Sequence, residues 1–388
     1  MDTRRGAGGT VKVNEDAEGR RSDLRRVTVI GTGLIGTSIA LALRAHNVDV
    51  ALSDPDASSL RLACDLGAGR PLEENASSAP ADLAVIAAPP AVVPAVLRDA
   101  QNRGLAQVYT DVASVKASVL REAERSGCDM ATFVPGHPMG GREKHGPGAA
   151  RADLFLGRSW ALCPTGKADP GSVAAVIELA RVCGADPLIL DAEAHDRAVA
   201  LVSHAPHVAS SAVAARLSGG DETALTLAGQ GVRDVTRIAG GDPAMWEEIL
   251  SHNALPVAEV LAEVAEDLAA TAEALRSLAG AAEGVDVLEP VRDLLSRGRV
   301  GHGRIPGKHG SVSRPEYTVM PVVIPDEPGA LGRLFAAAAT AGVNIEDVRI
   351  EHSPGLPLGV AELYVLPEVL DTLAEALSAD GWSVHPGA

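Results

Sequence analysis

Ten residues near the start, Val27-Thr-Val-Ile-Gly-Thr-Gly-Leu-Ile-Gly36, restrict the fold more than any other stretch of the chain. A β-branched run leads straight into Gly31, Gly33 and Gly36, and the apolar residues after Thr37 recur at helical spacing. A strand, glycine turn and helix in that order open a βαβ unit that holds a dinucleotide. Gly31 permits the tight turn, Gly33 lets the backbone approach a pyrophosphate, and Gly36 lets helix and strand pack closely. The first helical turn, from Leu34 and Ile35, offers free N–H groups and a favourable dipole to phosphates. Asp54 closes the next strand, where a carboxylate accepts from ribose hydroxyls and repels a 2′-phosphate. No Arg follows it in Ser53-Asp-Pro-Asp-Ala-Ser-Ser59, so the expected cofactor is NAD rather than NADP. Ala87 and Pro89, at a later strand end, are expected to border the nicotinamide side.

Around this unit, strand-like segments at 26–30, 48–53, 83–87, 107–111, 131–135, 158–163 and 187–190 alternate with helix-like ones. That alternation predicts an α/β Rossmann domain over 26–190, its mostly parallel sheet covered on both faces. From 191 to 297 the pattern is helical, which predicts an all-α domain that covers substrate and forms a dimer. Residues 298–316, rich in Gly, Lys and Arg, read as a linker. Residues 317–388 read as βαββαβ, a small ferredoxin-like α+β domain: strands 317–324, 345–351, 358–365 and near 382–385, helices 329–341 and 367–379. Residues 1–25 are polar, without apolar period, and read as a disordered tail. A length of 388 residues suits two or three domains.

The net charge of −17 excludes nucleic acid and anionic membrane as partners through a general field. An anionic small-molecule substrate must instead be gripped by a local cluster of cations or N–H groups. Cys64, Cys128, Cys163 and Cys183 have no paired or metal-like spacing, so reduced thiols and no metal are expected. No apolar run reads as a membrane span and no signal-peptide core is evident, so the expected location is the cytoplasm.

Two further strand ends carry polar residues. Thr110-Asp-Val-Ala-Ser-Val-Lys116 holds Asp111, Ser114 and Lys116, and Phe133–Gly146 holds His137, Glu143 and Lys144. Pro138 keeps His137 extended, and Gly136, Gly140 and Gly141 leave room around its ring. A histidine so placed can take a hydroxyl proton as hydride leaves the same carbon. In the helical block His204 and His207 share a face, with Pro206 between them to kink the helix. Zinc at this pair would need a third ligand that the sequence does not offer. Arg233 and Arg237, four apart, suggest a carboxylate clamp, against the plainer reading of surface pairing with Asp234 or Glu247.

The motifs Gly31–Gly36, Thr110–Lys116, Pro135–Gly146, His195–His207 and Gly229–Asn253, in that order, resemble the prephenate dehydrogenase family over residues 26–297. The resemblance implies NAD-dependent oxidative decarboxylation of prephenate, or of arogenate, on the route to tyrosine. It implies His137 as the base, Ser114 holding the same hydroxyl, Arg237 on a substrate carboxylate and Arg233 near the entrance. It further implies His207 at the side chain, with His204 beside it, Glu143 gating the site, and Trp246 and Asp196 as mainly structural. The C-terminal part resembles an ACT domain, which implies tyrosine as effector near Asp326, Pro328, Gly329, Leu331 and Asn344; the enzyme reading goes with a homodimer through the helical domain. A β-hydroxyacid dehydrogenase is the alternative enzyme, but it usually carries a catalytic Lys on the helical domain, and 191–297 contain none. A non-catalytic NAD and amino-acid sensor would have no use for His137 and Arg237.

Overall fold

The alternating apolar strands fold as the pattern requires: both faces of each central strand are buried. In the computed structural model, residues 11–12, 24–73, 79–141, 145–278, 287–305, 317–352 and 357–385 are described. They fall in two compact units, 1–266 and 267–388.

The first unit begins with β1 (Val11–Lys12), β2 (Arg26–Ile30), α1 (Leu34–Ala45), β3 (Asp49–Ser53), α2 (Ala57–Asp65) and β4 (Arg70–Pro71). It continues through β5 (Ala81–Ile86), α3 (Val93–Asn102), β6 (Ala106–Asp111) and α4 (Ala117–Arg125). Five strands form an all-parallel sheet in the order β4-β3-β2-β5-β6. Along β5, Leu83 and Val85 enter one core with Ile39 and Leu43 of α1. Ala84 and Ile86 enter the opposite core with Val93 and Leu97 of α3. Each fully buried Leu or Ile contributes about 1.5–3 kcal/mol, so the period-2 alternation fixes the register. Asp56 accepts N–H bonds from Ser58 and Ser59 and caps α2.

The polypeptide then forms a second sheet from β7 (Gly136–Pro138), β8 (Ser159–Leu162) and β9 (Asp186–Ile189), with α5 (Pro170–Val182) between the last two. Its order is β1-β9-β8-β7, with β8 and β9 parallel and both outer pairs antiparallel. The single sheet expected from the sequence is therefore two. The expected strand 131–135 is reduced to one parallel bridge, Tyr109 to Phe133, and pairing resumes at 136–138. Pro135 has no N–H to donate, which interrupts the ladder between the bridge at Phe133 and β7. The expected disordered tail also needs correction, because Val11 and Lys12 pair with Ile189 and Leu188 and cover the edge of β9. Leu24 is buried as well.

The helical part comprises α6 (Ala192–Val199), α7 (Ala205–Leu217), α8 (Glu222–Thr226), α9 (Gln230–Thr236), α10 (Pro243–His252) and α11 (Ala254–Leu278). A five-residue π-helix, Ala200–His204, joins α6 to α7, and the Ala205 N–H reaches back to the Ala200 carbonyl. Pro206 lacks the donor that an α-turn needs, and the wider turn absorbs the defect. By length and hydropathy the run Ala192–Leu217 is apolar enough to cross a membrane, contrary to the sequence expectation. It nonetheless carries His195, Asp196, His204 and His207, all buried.

In the second unit α12 (Glu289–Gly303) enters the stretch expected as linker. Arg297 pairs with Asp293 one turn back and with Asp267 of α11, which holds the helix despite its glycines. Residues 306–316 lie outside the described residues. Then follow β10 (Thr318–Pro325), α13 (Ala330–Thr340), β11 (Asp347–His352), β12 (Leu358–Val365), α14 (Leu370–Ala379) and β13 (Ser383–Val384). The strands form an antiparallel sheet in the order β11-β12-β10-β13, the expected βαββαβ arrangement. Met320, Val322, Ile324, Ala361 and Leu363 pack with Leu334, Leu373 and Leu377 of the helices.

Candidate active site

The carboxyl ends of β2, β5 and β6 bring the glycine turn, Ala87–Pro90 and Asp111 to one edge of the parallel sheet. Gly31 has φ +104°, and a Cβ there would lie 2.1 Å from the Ala87 carbonyl oxygen. A Cβ on Gly36 would lie 2.0 Å from the Gly31 carbonyl oxygen, so neither position accepts a side chain. Around Gly33 a Cβ would meet nothing within 4 Å. Gly33 caps α1 without a capping side chain, which leaves the N–H groups of the first turn, from Leu34, Ile35 and Gly36, facing that open space. Asp54 accepts from the Thr32 N–H at 2.5 Å, the Thr32 hydroxyl at 2.8 Å and the Asp56 N–H at 2.8 Å. Glycine cradle, free donors and nearby carboxylate fit a dinucleotide pyrophosphate and its ribose. Pro89 is exposed, and at Ala91 the chain donates an N–H to Glu248 of α10 at 3.2 Å.

His137 lies in β7. Its Nδ1 is 2.9 Å from Nε2 of His195, and Nδ1 of His195 is 2.8 Å from Oδ1 of Asp196. The two rings meet edge-on, with centroids 5.1 Å apart. Asp196 also accepts the N–H groups of Lys116 and Ala117 at 2.8 and 2.9 Å, which ties α6 to the start of α4. Nδ2 of Asn253 donates to the Asp196 carbonyl at 2.8 Å and to Nδ1 of His204 at 3.1 Å.

Beneath this chain of contacts Lys116 and Asp111 form a fully buried ion pair. Lys116 also donates to the Gly136 carbonyl at 2.6 Å, and Asp111 accepts the Gly136 N–H at 3.2 Å. Removing one partner of such a pair costs about 3–5 kcal/mol, because the other is left buried and uncompensated. The pair clamps the backbone immediately before His137.

Desolvation pushes His137 well below the usual histidine range, reinforced by His195, Lys116 and His204. Burial pushes His204 down to about 4, against the pull of Asp196, and also lowers His207. All three rings are therefore neutral near pH 7. His137 is half-buried. A neutral imidazole with one nitrogen engaged can accept a proton at the other from a substrate hydroxyl.

Trp246 joins the two helical histidines: His207 stacks on it at 3.6 Å, and His204 meets it edge-on at 6.1 Å. Gly241 is wedged between these rings, where a Cβ would lie 2.6 Å from Trp246 Nε1 and 3.0 Å from His207 Cε1. The 3-10 turn Arg237–Gly240 leads directly into that contact. Ser210 donates to the Val235 carbonyl at 2.7 Å and docks α9 on the His207 helix. Arg233 and Arg237 are exposed, and among the described residues neither forms an ion pair. The surface pairing with Asp234 is not formed, and Asp234 instead accepts from Gln230 at 2.8 Å.

Ser114 is half-buried on the loop after β6, and the Nδ1 of His137 is held by His195 rather than by Ser114. Glu143 lies outside the described residues. Among the four cysteines, all free, Cys64 is only partly buried. Sequence reasoning missed His195 and Asn253 and gave Asp196 too small a part. An adjacent His-Asp at a helix start just after a strand was the available signal.

In the second unit Gly329 has φ +84° and starts α13 without a side-chain cap. Asp326 donates its N–H to the Pro357 carbonyl at 3.0 Å. Leu331 packs against the local core, and Asn344 donates to Glu346 at 2.7 Å.

Residues 39–188 match the family model described as prephenate dehydrogenase, nucleotide-binding domain, and residues 191–285 the one described as prephenate dehydrogenase, dimerization domain. The chain is 41% identical over 367 residues to a probable prephenate dehydrogenase of Streptomyces niveus, covering 93% of this chain and all of that one. It is 27% identical to a prephenate dehydrogenase of Bacillus subtilis, over 84% of this chain and 87% of that one. A solved putative prephenate dehydrogenase of Corynebacterium glutamicum superposes with a TM-score of 0.64 at 28% identity, covering 74% of this chain and 91% of that one.

Proposed function

The chain belongs to the prephenate dehydrogenase family, and from that premise we infer that it oxidises and decarboxylates prephenate to 4-hydroxyphenylpyruvate with NAD. The observation that carries the reading is His137, neutral, hydrogen-bonded at Nδ1 and half-buried, next to Gly136, whose N–H donates to Asp111 at the carboxyl edge of the sheet that carries the glycine cradle. When bound at Gly31–Gly36 and Asp54, NAD supplies the hydride acceptor. His137 takes the proton of the ring hydroxyl as the carbon beneath it is oxidised. Loss of carbon dioxide from the opposite ring carbon returns an electron pair to the ring. The phenolic oxygen so formed can recover the proton from His137. Arg237 grips a substrate carboxylate with Arg233 near the entrance, His207 and His204 line the side-chain end, and Ser114 supports the hydroxyl.

Prephenate and arogenate differ by a keto group against an ammonium. Comparing kcat/KM for both substrates with NAD and with NADP tests the reading. Prephenate with NAD should be the preferred pair, and absence of activity with either substrate would refute the assignment.

Exposed apolar residues on the helical part, Leu227 at 80% and Leu255 at 79%, support a homodimer through it. This reading goes with a cytoplasmic enzyme. We further propose that the C-terminal βαββαβ fold is an ACT-like module that binds tyrosine at the turn Asp326–Gly329, near Leu331 and Asn344. Because α12 runs to Gly303, deletion should begin at residue 306. The shortened enzyme should keep its activity and lose tyrosine inhibition; equal inhibition of both forms would exclude the module as the sensor.

A further inference from the structure

We propose that His195 is the positioning residue that sets the tautomer of His137, with Asp196 setting that of His195 in turn. The proposal rests on reading His137 as the base and adds how its lone pair is kept outward.

The argument starts from the carboxylate. Burial opposes ionisation of Asp196, but the bonds from His195, Lys116 and Ala117 outweigh it and hold the carboxyl below its usual range. An ionised carboxylate only accepts hydrogen bonds. The proton in the 2.8 Å contact therefore sits on Nδ1 of His195. With that N–H the only one on the ring, His195 presents a lone pair at Nε2, 2.9 Å from Nδ1 of His137. The proton in that contact must come from His137. A neutral imidazole has one N–H, so Nε2 of His137 is left bare, on a residue that is half-buried rather than sealed in the core. When Nε2 takes the substrate's hydroxyl proton, the Nδ1–H stays where it was, already matched by His195.

With its carboxylate hydrogen-bonded to two backbone N–H groups of α4 and its carbonyl to Asn253, Asp196 has little freedom to move. The arrangement carries the logic of an oriented base across three side chains drawn from β7 and α6. It assigns a role to a buried histidine that the reaction otherwise does not use.

The test uses the full chain with two variants. In His195→Asn the shorter amide keeps a donor near Asp196 but loses the acceptor for His137. In His195→Gln the amide oxygen can reach the place of Nε2 and accept the His137 proton. Loss of an orienting partner of this kind costs about 10–100-fold, so kcat of His195→Asn should fall toward ~100-fold while both KM values stay within about 3-fold. His195→Gln should recover roughly tenfold of that loss, which a mere brace between strand and helix would not. In ¹⁵N spectra of histidine-labelled protein, His137 should be protonated at Nδ1 in the wild type and at Nε2 in His195→Asn.

Normal kcat in both variants, or a wild-type His137 protonated at Nε2, overturns the proposal. If His195→Asn does not fold, the wild-type spectrum and the Gln variant still decide the matter. Full activity of His195→Asn beside an inactive His137→Asn defeats this inference alone. Activity retained in His137→Asn defeats the assignment of the base itself.

Discussion

Replacing His137 by Asn should lower kcat by about 10²–10⁴-fold, the range a positioned general base contributes. The amide is close to the imidazole in shape at Nδ1 and keeps a partner for His195, so folding should be preserved. It has no basic lone pair at the place of Nε2 and cannot take the hydroxyl proton. The KM for NAD should be nearly unchanged, because the glycine cradle lies on β2 and α1 rather than on β7. Initial-rate measurement of NADH formation at saturating substrates separates the two parameters. Near-normal kcat would remove His137 from the chemistry.

The second large effect is expected at Arg237. A hydrogen bond to a charged group is worth about 1.5–3 kcal/mol, so Arg237→Gln should raise KM for the substrate about 10–150-fold. An exposed Arg with no ion pair among the described residues gives up no internal bond when it grips a substrate, and none is lost on substitution. The melting temperature should therefore stay close to that of the wild type. A change in kcat without a change in KM would place the residue on the transition state rather than on the carboxylate. An unchanged KM would rule the clamp out.

How much of this could be read beforehand depended on whether the information was local. The glycine turn is local: strand, three glycines and helix lie within a dozen or so residues, and Gly31 and Gly36 are packed as their spacing requires. The C-terminal strands alternate cleanly, and their limits in the sequence fall within two residues of those in the structure. Composition misled where tertiary contacts decided. The glycines of 298–303 suggested a linker, yet Arg297 bridging Asp267 and Asp293 supports a helix there. The polar tail gave no hint of β1, which exists because β9 has an edge to cover.

The site divides in the same way. His137 was singled out from its prolines and glycines, and Arg237 is proposed from its spacing to Arg233 in an acidic chain. His195 was not, because its partner lies 58 residues away and only the packing of α6 against β7 brings them together. Lys116 looked like one polar residue among several at a strand end. Its burial with Asp111 beneath Gly136 follows from the fold and not from any spacing.

The central claim is that a histidine from the sheet and a guanidinium from the helices act on one substrate beside the dinucleotide. A crystal structure with NAD and a phenolic carboxylate that mimics the product tests it most directly. The expected result places Nε2 of His137 within about 3 Å of the phenolic oxygen, at hydrogen-bond distance, and Arg237 on a carboxylate of the same molecule. A ligand bound away from the nicotinamide ring, or His137 and Arg237 facing separate cavities, would contradict it.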